Sequence, residues 1–333
     1  MTGVVHPRAV MKALLQDSRP PRPLVLPLIF SWGARVENIT RKAYLSDPTK
    51  IVSGVRQLWK HMPADSITCY FDPLLEAEAL GAAVSWSSDG ASAHLEPKPL
   101  AAHGLPDGLR SPDEAASAGR VPVAVEVLKR LKIQLREGPL RMVGLTGPLT
   151  LATDLRGAHA EPPPPAAVDA CGAAITAIAR TLLEAGAEVL LIHEPASAAD
   201  AGTHEAALSQ LETVVNIARF YEALPVLLAP ESGDRPRFQF AAEIASRGLG
   251  CVACIEWQGQ APENAPSGKW GMALPMTTDG AEHATAPESR QALLDAVLHT
   301  RPAVITTAGE VPMTAQWKNL AEFCVGAVHL HWN

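Results

Sequence analysis

Short, nearly unbroken apolar runs recur along this chain, and longer amphipathic segments fill most of the intervals between them. The runs are 24–30 (LVLPLIF), 66–71 (SITCYF), 141–146 (RMVGLT), 188–193 (EVLLIH), 225–229 (PVLLA), 251–257 (CVACIEW), 270–275 (WGMALP) and 303–307 (AVITT). Each has the length of a strand and lacks the polar alternation of a sheet wetted on one face. Segments 48–61, 166–185, 203–222, 238–247 and 288–300 space their apolar residues as helices do. Strands buried on both faces, alternating with helices, predict a parallel sheet walled by helices. Eight such units in 333 residues predict one (β/α)8 TIM barrel of α/β class, a single domain over 1–333.

Smaller features decorate this frame. Residues 85–96 (SWSSDGASAHLE) alternate about a Ser88-Asp89-Gly90 turn and predict a β-hairpin inserted after the second unit. Residues 160–166 (AEPPPPA) predict a stiff polyproline loop over the barrel mouth. Gly186 and Gly248 stand where helix C′ glycines belong.

Composition narrows the function classes. The chain is 47% hydrophobic and 19% charged, an ordinary globular balance, and its net charge of −7 gives no support to nucleic-acid binding. The N-terminus has no signal-type apolar core, and the strand runs fall short of the roughly 20 residues a bilayer span needs. The expectation is a soluble, cytoplasmic protein with no membrane or nucleic-acid partner. Among its five cysteines, Cys251 and Cys254 form a CxxC. Inside a strand pattern, that spacing puts the two sulfurs on opposite faces, so core cysteines are expected rather than a redox pair.

In a TIM barrel the reacting groups collect at the C-terminal strand ends. Those positions hold Trp32 and Arg35 after the first strand, Asp72 after the second, and Thr146 after the third, with Asp154 on the helix that follows. They continue with His193 and Glu194 after the fourth, Glu256 and Trp257 after the sixth, and Glu310 after the eighth. Asp72 lies in CYFDPLLEAEALG, where a strand pattern meets Pro73 and an apolar helix face. It reads either as a helix cap or as a site carboxylate. Asp72→Asn separates the two, since a cap tolerates Asn and proton chemistry does not.

Several of these stretches carry a family resemblance. FDPLLEAEALG (71–81), GLTGPLTL (144–151), PLIFSWGARVENI (27–39), AGAEVLLIHEP (185–195) and AGEVP (308–312) resemble motifs of the uroporphyrinogen decarboxylase superfamily. That superfamily also holds methyltransferases that use methylcobalamin and a thiol acceptor. The resemblance implies a TIM barrel whose open end holds an acidic substrate, with Asp72 at its centre and Arg35 as the arginine closing the first motif. The chain also departs from the family. Ser31 replaces the first of two arginines, Asp154 replaces a tyrosine, and Ala308-Gly309-Glu310 stands where a histidine is expected. The methyltransferase zinc ligands have no counterpart, since Pro230–Asp234 and Gly309 occupy their positions. His329 and His331 fall at the chain end and are not read as metal ligands.

The expected function is a cofactor-independent, decarboxylase-type lyase acting on a small carboxylate-bearing substrate other than uroporphyrinogen. Asp72, Glu194 and Glu310 are its candidate catalytic groups. Arg35, Trp32, Thr146, Asp154, His193 and Trp257 are its candidate substrate contacts. No metal is assigned. The alternatives are a zinc-independent methyltransferase, with a corrinoid and a corrinoid protein as partner, and a non-catalytic binding relative. A homodimer is compatible with all three.

Overall fold

The structure is a computed structural model that describes residues 5–62, 64–96, 98, 100–101, 104–157, 161–195, 200–229, 243, 247, 250–257, 270–275, 287–313, 315 and 317–332. Its strands, in chain order, are β1 (Leu24–Leu26), β2 (Ser66–Tyr70), β3 (Val84–Trp86), β4 (Ala93–Leu95) and β5 (Leu140–Thr146). They continue with β6 (Val189–His193), β7 (Leu224–Leu228), β8 (Val252–Glu256), β9 (Trp270–Leu274) and β10 (Val304–Thr307). Eight of them form one sheet in the order β1-β10-β9-β8-β7-β6-β5-β2, and every pairing in it is parallel. Each apolar run corresponds to one of these strands, in the expected order, with β5 and β7 starting one residue before their runs. β3 and β4 pair antiparallel as the inserted hairpin.

All residues of β2, β5, β7, β9 and β10 are buried, as strands enclosed on both sides must be. Alternate positions serve the two sides. Val25, Ala253, Ile255, Met272 and Ile305 pack with Val297 and Phe323 of helices Pro287–Thr300 and Trp317–Val328. Leu24, Leu26, Cys254, Ala273 and Val304 join the other cluster.

β1 is shorter than its run because Pro27 has no N–H to give a ladder. Asp65, just before β2, and Thr68 within it close the seam instead, through main-chain and side-chain bonds. The Asp65 N–H donates to Val25 O (3.0 Å), and the Val25 N–H donates to Asp65 Oδ2 (2.9 Å). The Ile29 N–H donates to Thr68 Oγ1 (3.3 Å). Arg22 fixes the Asp65 carboxylate with bonds of 2.6 and 2.8 Å.

The helices obey local rules. Helix Pro48–His61 starts on Asp47, whose Oδ1 accepts from Thr49 N (2.8 Å), with Pro48 in its first turn. Helix Pro165–Ala185 ends on Gly186 at φ 111°, the left-handed position that favours glycine. This helix is long and apolar enough to cross a membrane, a length the strand runs did not reveal. Here it packs into the barrel wall through Val168, Ile175, Ile178 and Leu182. Pro164 of the polyproline stretch precedes it, and Pro163 O accepts from Thr203 Oγ1 (3.1 Å), tying the stretch to the next helix. An N-terminal helix, Pro7–Leu15, was not evident from the runs and buries Val10, Met11 and Leu14. The helix expected over 238–247 lies outside the described residues except at Glu243 and Arg247.

Both CxxC cysteines are buried. The Cys254 sulfur lies where Gly271 leaves room for it. Burial pushes the Cys251 thiol up to about 12 and raises Cys254 further. Neither has the lowered pKa of a reactive thiol.

Candidate active site

The C-terminal ends of the central strands stand in register, with Thr146 opposite His193 and His193 opposite Leu228. At β2 the pairing with β5 slips between Thr68 and Tyr70, an irregularity of the kind that re-aims a strand end. Asp72 follows directly and is only 1% exposed.

Its carboxylate is held mainly by two guanidiniums. Arg41 Nη2 lies 3.1 Å from Oδ1, and Arg120 Nη2 lies 2.5 Å from Oδ2. The capping contact is secondary: Leu74 N is 3.4 Å from Oδ1, long for a bond to a charged acceptor. Each arginine is itself oriented. Arg41 Nε donates to Ser31 Oγ (3.2 Å), and Arg120 Nε donates to Glu78 Oε2 (2.5 Å). The Ser31 N–H donates to Glu310 Oε1 (2.5 Å). A polar chain therefore runs Glu78–Arg120–Asp72–Arg41–Ser31–Glu310. It joins groups that follow β1, β2 and β10.

The hairpin covers this chain. The Trp86 ring lies 6.0 Å from the Arg41 guanidinium carbon and 5.8 Å from that of Arg120. Gly90, at φ 66°, brings the hairpin tip against Thr40, the N-cap of Arg41's helix, and Gly90 O accepts from Lys42 N (3.0 Å). Trp86→Ala is expected to cost about 1 kcal/mol, the scale of two partly exposed cation–π contacts, as a lower urea midpoint.

Two further acids adjoin Asp72. Glu76 is fully buried, and its Oε1 accepts from Thr146 N (3.0 Å). Thr146 Oγ1 in turn donates to Pro73 O (3.1 Å). Burial pushes Glu76 up to about 8, against the pull of main-chain N–H bonds. Burial also raises Glu310, while bonds from Ser31 and the Arg41 charge oppose the rise.

The Glu76 shift has a sign in stability. A carboxyl whose folded pKa is raised binds its proton more tightly in the native state. Its contribution is full below about 4.5 and is lost as pH rises through about 8. Glu76→Gln, which stays neutral, should flatten the fall in urea midpoint between pH 5 and pH 9. By pH 9 the variant should gain on the wild type by an amount on the order of a few kcal/mol.

The other candidates are dispersed. Arg35 is exposed; Nη1 donates to Met313 O (2.7 Å) and the guanidinium carbon lies 4.9 Å from the Trp32 ring centre. Trp32 Nε1 donates to Pro312 O (2.8 Å), and the side chain belongs to the outer cluster. Trp257 packs against that same cluster. Glu194 is buried and turned to the N-terminus of helix Pro148–Arg156. It accepts from Leu149 N (2.9 Å), Thr150 N (2.7 Å) and Thr150 Oγ1. Gly147 leaves room for that carboxylate. Burial pushes Glu194 up to about 7. The His193 ring meets Phe71 edge-on at 6.2 Å, and burial lowers it to about 4, so it is neutral at pH 7. Asp154 lies on the exposed side of its helix. The structure thus brings Asp72 and Glu310 into one cluster with Thr146 nearby. Arg35, Trp32 and Trp257 are directed elsewhere, and Glu194 is engaged as a cap.

Sequence reasoning missed Arg41, Arg120, Glu76 and Trp86. Arg41 follows Thr40, a readable N-cap, six residues past Arg35. Trp86 sat in the expected hairpin. Nothing local marks Arg120 or the burial of Glu76. Among the described residues no three His, Cys, Asp or Glu side chains are grouped to hold a metal ion. The turn at Pro230–Asp234, where the family zinc ligands would match, lies outside the described residues.

Known proteins share parts of this sequence and its fold. Residues 7–163 match the family described as uroporphyrinogen decarboxylase (URO-D). No curated protein matches the chain in sequence. Among solved structures, a methyltransferase from Methanosarcina mazei superimposes with a TM-score of 0.75 at 15% identity, covering 97% of this chain and 98% of that one. A B12-independent methionine synthase from Shewanella sp. W3-18-1, in complex with selenomethionine, gives 0.55 at 12% identity, covering 93% and 97%. At these identities the two structures share the fold.

Proposed function

From the match of residues 7–163 to the uroporphyrinogen decarboxylase (URO-D) family, we propose that this chain is a decarboxylase-type lyase acting on a small carboxylate-bearing substrate. The observation that supports it is the Asp72 carboxylate between Arg41 and Arg120, continuous with Ser31 and Glu310. A guanidinium pair can receive an anionic substrate. In the reaction the bond from carbon to carboxylate breaks, CO2 leaves, and the electron pair stays on the substrate carbon. A proton replaces the carboxylate. Glu310, raised by burial, is the candidate donor. Protonation of an electron-rich ring by solvent would supply the sink that delocalises the electron pair, Asp72 would balance the positive charge this creates, and the ring returns its proton as the carbon is protonated.

The reading is tested by supplying aryl- and pyrrole-acetates labelled with 13C at the carboxyl, in D2O. Labelled CO2 and one deuterium in the product are expected. Arg35→Lys should leave that turnover within about twofold, because its side chain is engaged with Met313 and Trp32. A large rise in KM would restore Arg35 to the substrate.

A second reading, methyl transfer without the family zinc, is favoured by the full-length superposition on a methyltransferase. Transfer of a methyl group from methylcobalamin to a thiol, with no CO2 from any acid, would select it.

A further inference from the structure

Arg120 is 7% exposed, yet its hydrogen bonding is incomplete. A guanidinium carries five N–H donors. Nε–H goes to Glu78, but among the described residues neither Nη1 nor Nη2 meets an acceptor in good hydrogen-bonding geometry. Asp72 Oδ2 is 2.5 Å from Nη2 and also lacks a hydrogen bond. The two charges compensate each other while the directional donors stay unused. Among the described neighbours the Tyr70 hydroxyl oxygen can accept one Arg120 N–H, which still leaves most of the Nη1 and Nη2 donors without a partner. The Tyr70 hydroxyl donates to Leu45 O (2.8 Å), and Trp86 presents its ring. The flat edge between Nη1 and Nη2 has the shape and charge to take a planar oxyanion through two parallel bonds. Buried donors left unpaired are costly, which favours a group that fills them.

We propose that the Nη1–Nη2 edge of Arg120 is the receptor for a carboxylate of the substrate, occupied in the free protein by Asp72 as a poorly aligned stand-in. When the carboxylate binds, Asp72 is kept by Arg41, which already holds its other oxygen. Substrate entry then frees one Asp72 oxygen for the reacting part of the molecule. The inference rests on the reading that this site takes a carboxylic acid, and it is tested by binding rather than turnover.

The probes are acetate and formate, with acetamide and chloride as controls at matched ionic strength. Asp72→Asn removes the stand-in, so acetate should bind this variant at least tenfold more tightly than the wild type and raise its melting temperature saturably. Acetamide and chloride should do neither. The double variant Asp72→Asn, Arg120→Lys should lose the response, while Asp72→Asn with exposed Arg56→Lys should keep it. Equal acetate affinity in wild type and Asp72→Asn, or a response that survives Arg120→Lys, overturns the assignment. Should Asp72→Asn fail to fold, isothermal titration of acetate into wild type and Arg120→Lys decides. At least a tenfold loss of affinity in Arg120→Lys is expected, and equal affinity rejects the receptor. Acetate binding through Arg120 with no CO2 released from any acid would leave the receptor standing and remove the lyase reading.

Discussion

Asp72→Asn is expected to lower the stability of the protein by about 3 kcal/mol and turnover by a hundredfold or more. Read as a cap, this substitution should be silent, because Asn caps a helix about as well as Asp. The structure changes that forecast. The side chain meets Arg41 and Arg120 at 3.1 and 2.5 Å, whereas its capping contact is 3.4 Å long. Removing the charge leaves two guanidiniums close together in a buried setting, and breaking one side of a buried pair typically costs about 3–5 kcal/mol. Asn keeps one acceptor oxygen, which puts the loss at the lower end. Urea denaturation at pH 7 reads the stability, and single-turnover kinetics on the identified substrate read the chemistry. A variant as stable as the wild type would mean that the two ion pairs contribute nothing net. Wild-type turnover would remove Asp72 from the reaction.

Glu194→Ala should destabilise by about as much or more, and for a different reason. The carboxylate accepts from two main-chain N–H groups and one hydroxyl at the start of helix Pro148–Arg156. Alanine strands all three donors in a buried site, at about 1–3 kcal/mol each, for a loss of roughly 3–5 kcal/mol after partial relaxation. Gln keeps one acceptor oxygen for the two Thr150 donors but turns an NH2 group toward the Leu149 N–H, so Glu194→Gln should lose about 1–2 kcal/mol, less than Ala, and retain most of the turnover. Chemical denaturation and steady-state rates on the two variants separate the roles. A Gln variant that is stable but inactive would make Glu194 a proton carrier at its raised pKa of about 7. A Gln variant as unstable as Ala would mean that the helix start requires the full charge.

The eight strands, their order and the inserted hairpin follow from the sequence by itself. Enclosed strands need unbroken apolar runs, and the connecting helices need a 3.6-residue stripe, so both periods are written locally. The stop at Gly186 is local too, because a left-handed backbone angle selects glycine wherever it occurs. The candidate site was legible as a set of strand-end residues, and Asp72 and Glu310 lie in one cluster. Which other groups join them depended on directions that no period encodes. Arg35 and Arg41 are six residues apart. One turn of helix Trp32–Val36 sends Arg35 out to Met313, while a new helix starting at Thr40 sends Arg41 in to Asp72. Glu76 in the LEAEA turn looks like a solvated first-turn acid, and only the packing of that turn onto Thr146 buries it. Arg120 arrives from a loop far along the chain, where Gly119 at φ 56° lets the backbone approach Ala79. Periodicity reports how each residue faces its own element. The pairing of charges across elements is a long-range electrostatic choice, and only the assembled barrel brings Arg41, Asp72 and Arg120 close enough to make it.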